Sequence, residues 1–208
     1  VDDSLDDGNQ SYTIELAASS SDSDYSELNP DDVTVTNTTT ELEGTWISSC
    51  HSGWESHYNI RTITVTGSTI VMKWDEHSDS SCATDYPIWT DTFSSLSIGN
   101  EVTLDNGSTG RQFTIKVDSF EVLMQTAAAV TAYNNWSYCG YTDYALNTAK
   151  EYTGKTCDNS TMWSTNTSVY GVYLLDESSL LISTFSSSEP PSTVGSTMLT
   201  KQQNLILS

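Results

Sequence analysis

The stretch Asn59-Ile60-Arg61-Thr62-Ile63-Thr64-Val65-Thr66, followed by Gly67-Ser68 and then Thr69-Ile70-Val71-Met72-Lys73-Trp74-Asp75, decides the fold. Apolar and polar residues alternate on both sides of a two-residue Gly-Ser turn, and β-branched side chains recur throughout. That combination specifies a β-hairpin. Upstream, Leu42 to Cys50 reads as a first strand. Downstream, short alternating segments recur at Thr90 to Ile98, Glu101 to Leu104, Arg111 to Val117, Phe120 to Gln125, Ser168 to Leu175, Leu180 to Phe185 and Thr197 to Lys201. The turns between them (Asn106-Gly107, Asp118-Ser119, Asp176-Glu177) are of the polar kind that a meander needs. Only Asp143 to Tyr152, with Ala145, Leu146, Ala149 and Tyr152 at helical spacing, suggests a helix. About nine to ten short strands and one helix predict an all-β domain over 42–208, either an up-and-down antiparallel barrel or a sandwich.

The 208 residues carry 28 acids against 7 bases, a net charge of −21. Nucleic acid is excluded as a partner because each phosphate contact needs a Lys or Arg, and the seven here are scattered singly. A polybasic membrane patch is excluded on the same ground. There is no transmembrane segment, since no apolar run reaches the roughly 18 to 20 residues that span a bilayer. The charge is concentrated at one end: residues 1–43 hold twelve acids and no Lys or Arg, set among Ser, Thr and Asn. Such composition buries too little apolar surface to offset its ordering entropy, so residues 1–41 are expected to form a flexible acidic tether. A second reading has Tyr12 to Leu16 and Val33 to Val35 adding as strands to an edge of the domain. Val1-Asp2-Asp3 has neither the basic nor the apolar region of a signal peptide, so a processed chain is expected, with room for a lipid anchor upstream of residue 1.

Cys50, Cys82, Cys139 and Cys157 form an even set with no CxxC spacing, which fits disulfides and an extracytoplasmic location. Four cysteines allow three pairings. Cys50–Cys82 with Cys139–Cys157 is favoured because each bridge then closes a local loop.

Gly44-Thr45-Trp46 at the head of the first strand, followed by a meander of about 150 residues, resembles the Gly-x-Trp opening of lipocalins and the wider calycin group. Trp46, Cys50, Cys82, Tyr138-Cys139-Gly140 and Gly154 to Cys157 also resemble the landmarks of exported bacterial lipoproteins with a lipocalin-like barrel. The resemblance covers residues 42–202. It implies an up-and-down antiparallel β-barrel of about 8–10 strands in which Trp46 closes the narrow end beneath a basic side chain of the last strand. Lys201, the only Lys or Arg after Lys155, is the candidate for that role. The chain departs from ordinary lipocalins in the stretch from Ala127 to Thr167, far longer than a hairpin loop.

Catalytic templates are absent from the sequence: there is no Gly-x-Ser-x-Gly elbow, no His-Glu-x-x-His and no phosphate-binding glycine loop, so no enzyme and no cofactor are expected. His51, His57 and His77 fall in connections that a meander places at one rim, beside Asp75 and Glu76, and imidazoles with carboxylates suit Zn, Cu or Ni. Their spacing matches no established ligand motif, and loop histidines are most often simply solvated. Six Trp and eleven Tyr are the stronger clue. Trp54, Tyr58, Trp89 and Trp136 are the candidates for lining a pocket for a small apolar or aromatic molecule, since such rings combine an apolar face with a polar handle. The competing account makes them core and rim filler. Two functions from different classes follow: a monomeric ligand-binding barrel with an open cavity, or an interaction domain whose barrel is filled and whose work is done at its surface.

Overall fold

The computed structural model describes residues 10–14, 33–37, 40–53 and 57–202. They fall into two units, Val1–Glu43 and Gly44–Ser208. In the first, β1 (Gln10–Ile14) and β2 (Val33–Asn37) pair antiparallel, with Gln10 opposite Asn37 and Ile14 opposite Val33. The two alternating stretches therefore pair with each other. The rest of the expected tether up to Thr39 lies outside the described residues.

The second unit runs β3 (Gly44–Ser48), β4 (His51–Ser52), β5 (Tyr58–Thr66), β6 (Thr69–His77), β7 (Asp85–Thr103), β8 (Thr109–Met124), α1 (Ala127–Trp136), a 3-10 turn (Tyr138–Gly140), β9 (Ala149–Glu151), β10 (Thr156–Cys157), β11 (Ser160–Thr161), β12 (Ser168–Asp176), β13 (Ser179–Ile182) and β14 (Leu199–Lys201). Eight of these strands close into an antiparallel barrel in the order β3-β5-β6-β7-β8-β12-β13-β14 and back to β3. Each barrel strand lies beside its neighbour in the chain, which is the up-and-down topology, and closure leaves no free barrel edge. Strand β9 pairs with the end of β8, outside the ring. This barrel with one helix is compatible with the lipocalin-like architecture. Among the described residues no helix is long and apolar enough to cross a membrane.

The hairpin forms as its sequence requires: Thr66 faces Thr69 across Gly67-Ser68, and Gly67 takes the positive φ of 56° that the turn needs. Two other expectations are corrected. The four segments between Thr90 and Gln125 are two long strands: β7 runs on through Gly99 with register shifts on either side of Ser97-Ile98, and Asp118-Ser119 is a bulge in β8 and not a turn. The register there shifts between Thr92 and Phe93, and the Ser94 hydroxyl donates a 2.7 Å hydrogen bond to the Asp118 carboxylate. The helix is Ala127–Trp136 rather than Asp143 to Tyr152. Thr126 caps it by accepting from the Ala129 N–H at 3.2 Å, three alanines fill its first turn, and Ser137 ends it in a left-handed conformation. In the later segment Asn147 is left-handed, and Ala149–Glu151 finds better hydrogen bonding along β8.

Both expected disulfides are present, Cys50–Cys82 and Cys139–Cys157, and no free cysteine remains among the described residues. The inward faces of β3, β5, β6, β7, β8 and β12 pack Trp46, Ile63, Met72, Phe93, Ile115 and Tyr173 into one core, each at most 1% exposed. Lys201 places its ammonium 5.3 Å from the centre of the Trp46 ring, the contact that the Gly-x-Trp opening implies. Gly44 is glycine for two reasons: its φ is 115°, and a Cβ there would sit 3.3 Å from Lys201 Cε.

Candidate functional site

A cavity of about 500 Å³ lies inside the barrel. Its wall is built by inward positions of four consecutive strands: Arg61 of β5, Met72 and Trp74 of β6, Asp91 and Phe93 of β7, and Phe120 of β8. Ser183, Thr184 and Phe185, just past β13, complete the wall. Tyr152, Thr161, Met162 and Trp163 come from the long connection between β8 and β12. The stretch that departs from ordinary lipocalins thus leaves the eight-stranded ring intact and furnishes part of the cavity lining.

Aromatic rings shape this cavity. Phe93 meets Phe120 and Phe185 edge-to-face at 5.9 and 5.3 Å, while Phe120 stacks on Tyr152 at 5.8 Å and lies 6.4 Å from Trp163. Such pairs hold one another in fixed orientations and keep the apolar surface continuous. Set into that surface are the Arg61 guanidinium and the Asp91 carboxyl. Burial pushes the Asp91 carboxyl up to about 7, although the hydrogen bond from Tyr152 Oη at 3.3 Å and the Arg61 charge both pull it down. Burial likewise brings Arg61 down to about 10, with Asp91 opposing. The Arg61 guanidinium lies 5.1 Å over the Trp74 ring and donates from Nη2 toward Met72 Sδ at 3.7 Å, but its Nε is buried without a hydrogen bond. A donor left in this condition costs free energy that an acceptor brought into the cavity recovers.

A second cavity, of about 310 Å³, adjoins the first across Met162. Helix α1 supplies Ala132, Tyr133 and Trp136, the 3-10 turn supplies Tyr138, and the β10–β11 turn supplies Cys157, Asp158 and Ser160. His57, Glu76, Tyr86 and Trp89 close it from the barrel side. The Cys139–Cys157 bridge ties the turn bearing Tyr138 to the turn bearing Asp158. No family model and no curated protein matches the chain.

The candidates read from the sequence separate accordingly. Trp89 and Trp136 line the second cavity, Tyr58 lines neither, and Trp54 lies outside the described residues. For the histidine rim, no set of three His, Cys, Asp or Glu that could hold a metal ion is found among the described residues. Each imidazole has other neighbours. His51 Nδ1 lies 3.0 Å from the Ser49 carbonyl, His57 stacks on Tyr86 at 4.7 Å, and His77 is buried between Asp75 and Asp85 at 3.9 and 3.6 Å.

Arg61, Trp74, Asp91 and Tyr152 line the barrel cavity and were not singled out from the sequence as site residues. A signal for Arg61 and Asp91 existed. Arg61 precedes the buried Ile63 and Val65 by two and four residues, and Asp91 precedes the buried Phe93 by two, so both charges stand on the inward phase of their strands. Charges at core-facing positions of an alternating strand mark a polar feature inside a barrel.

Proposed function

We propose that this chain is an exported, non-enzymatic binding protein whose barrel holds a small molecule with an apolar or aromatic body and a hydrogen-bond acceptor. The observation that carries the reading is the cavity of about 500 Å³ within the closed barrel, a size typical of small-molecule sites. Rings of Trp74, Phe93, Phe120, Trp163 and Phe185 provide the apolar contact, and the open Nε of Arg61 supplies the directional one. Met72 and Met162 add side chains able to conform to the ligand outline. Two disulfides support the exported habitat, because such bridges persist in oxidising compartments.

Titration with N-phenyl-1-naphthylamine, a probe whose fluorescence rises in apolar surroundings, tests this reading. Saturable enhancement at one probe per chain is expected, with marked loss in Met162→Trp, where the larger side chain intrudes on the cavity. A linear, unsaturated rise, or equal binding by the variant, would sink the proposal.

A further inference from the structure

The two adjoining cavities differ in how their carboxylates are balanced. In the barrel cavity Asp91 has Arg61 beside it. In the second cavity Glu76 and Asp158 both line the walls, and no Lys or Arg is among the described lining residues. The remainder of that lining is dominated by aromatic rings, and these form one connected cluster. Trp89 lies 6.0 Å from Tyr133 and 5.5 Å from Tyr138, Tyr133 lies 5.8 Å from Trp136, and Trp136 lies 4.8 Å from Tyr138. Burial raises the Glu76 carboxyl, and Trp89 and His57 beside it act against that rise.

We propose that this second cavity is a binding site for a free small alkylated ammonium ion, enclosed by Trp89, Tyr133, Trp136 and Tyr138 and balanced by Glu76 and Asp158. The faces of aromatic rings are electronegative and attract a cation held within about 6 Å of their centres. A quaternary ammonium has no N–H groups to satisfy and sheds its hydration easily, so a wall of rings suits it. A neutral aromatic ligand would cover Glu76 and Asp158 and bring no cation of its own, which is costly. A metal ion would need three or more ligating groups, and no such set is present among the described residues. His57 also lines the barrel side, stacked on the Tyr86 ring, and when protonated it offsets part of the charge of Glu76.

The site is separate from the barrel cavity, so it stands or falls independently of the function proposed above. Calorimetric titration of the folded protein with tetramethylammonium and choline, set against 3,3-dimethylbutanol as the uncharged isostere of choline, is the test. The cations are expected to bind at least about 10-fold more tightly than the alcohol. Trp136→Ala and Glu76→Gln should each weaken choline by about 5- to 10-fold. Trp136 is 53% exposed, so its removal leaves the fold intact, which the unchanged thermal midpoint will verify. Arg61→Met, in the other cavity, should leave choline affinity unchanged. Equal affinity for choline and the alcohol, no binding of either cation, or indifference to both Trp136→Ala and Glu76→Gln would overturn the proposal. Tighter binding of capped trimethyl-lysine than of choline would overturn the free small molecule and assign the cation to a modified side chain.

Discussion

The two ends of β5 and its neighbours carry the same alternating pattern and reach opposite outcomes. Around Ile63 and Val65 the barrel is filled: Trp46, Ile70 and Phe113 are each 1% exposed, and Phe113 lies so close over Gly171 that a Cβ would run into its ring. Two residues earlier on the same strand face, Arg61 stands where an aliphatic side chain would continue the packing, and about 500 Å³ stays open. Aliphatic and aromatic side chains interdigitate until no gap remains, whereas a guanidinium and a carboxylate hold their neighbours at fixed distances and keep polar atoms to be satisfied. The inward phase of a strand therefore closes the barrel or keeps a cup, according to the polarity of two or three positions.

This contrast is open to attack by substitution. The largest effect should come from the filled end. Trp46→Ala removes a buried ring and its cation–π partner, and urea unfolding should show a loss of about 3 to 5 kcal/mol. Removing the second bridge as Cys139→Ser with Cys157→Ser should cost about 3 kcal/mol, since it closes a loop with a sequence separation of 18. Far-ultraviolet dichroism of that variant should still show an intact barrel, because the bridge staples the connection that walls the cavities rather than the ring itself.

The cup end has a pH signature of its own. Asp91 is held at about 7 when folded, against an ordinary 3.8, so between those values the folded chain retains a proton that the unfolded chain has released. This contribution is fully present below about pH 4 and is lost as pH rises to about 7, with a slope of at most about 1.4 kcal/mol per pH unit. Denaturation midpoints recorded across that window should fall with pH for the native protein by this amount more than for Asp91→Asn. Lys201→Met, which removes the cation from above Trp46 while keeping the aliphatic stem, should cost about 0.5 to 2 kcal/mol in the same assay. The smallest stability change belongs to the double variant Arg61→Met with Asp91→Asn. Replacing a buried guanidinium and its neighbouring carboxyl by groups of similar volume is commonly neutral or mildly stabilising, so a shift within about 1 kcal/mol is expected while probe binding is lost.

Much of the filled end was legible in the residues. Alternation around Gly67-Ser68 gives β5 and β6, Gly44-Thr45-Trp46 marks the first barrel strand, and Lys201 is isolated as the late cation by the scarcity of bases. The disulfide pairing followed from the locality of the loops. The cup was less legible because its parts are distant in the chain: Arg61, Asp91, Tyr152 and Phe185 become neighbours only when the ring closes. Tyr152 was hidden further by the helical spacing of Ala145, Leu146 and Ala149, which tertiary pairing of β9 with β8 overrides. The bulge at Asp118 looked like a turn because Asp and Ser serve both, and only the continuing ladder distinguishes them.

The most direct test of the cup is native mass spectrometry of the protein purified from its own source, compared with the denatured chain. A small-molecule mass carried by the folded protein, lost on denaturation and absent from the Arg61→Met, Asp91→Asn variant, is the expected result. A folded protein with the bare chain mass, from several preparations and with both disulfides intact, would contradict it.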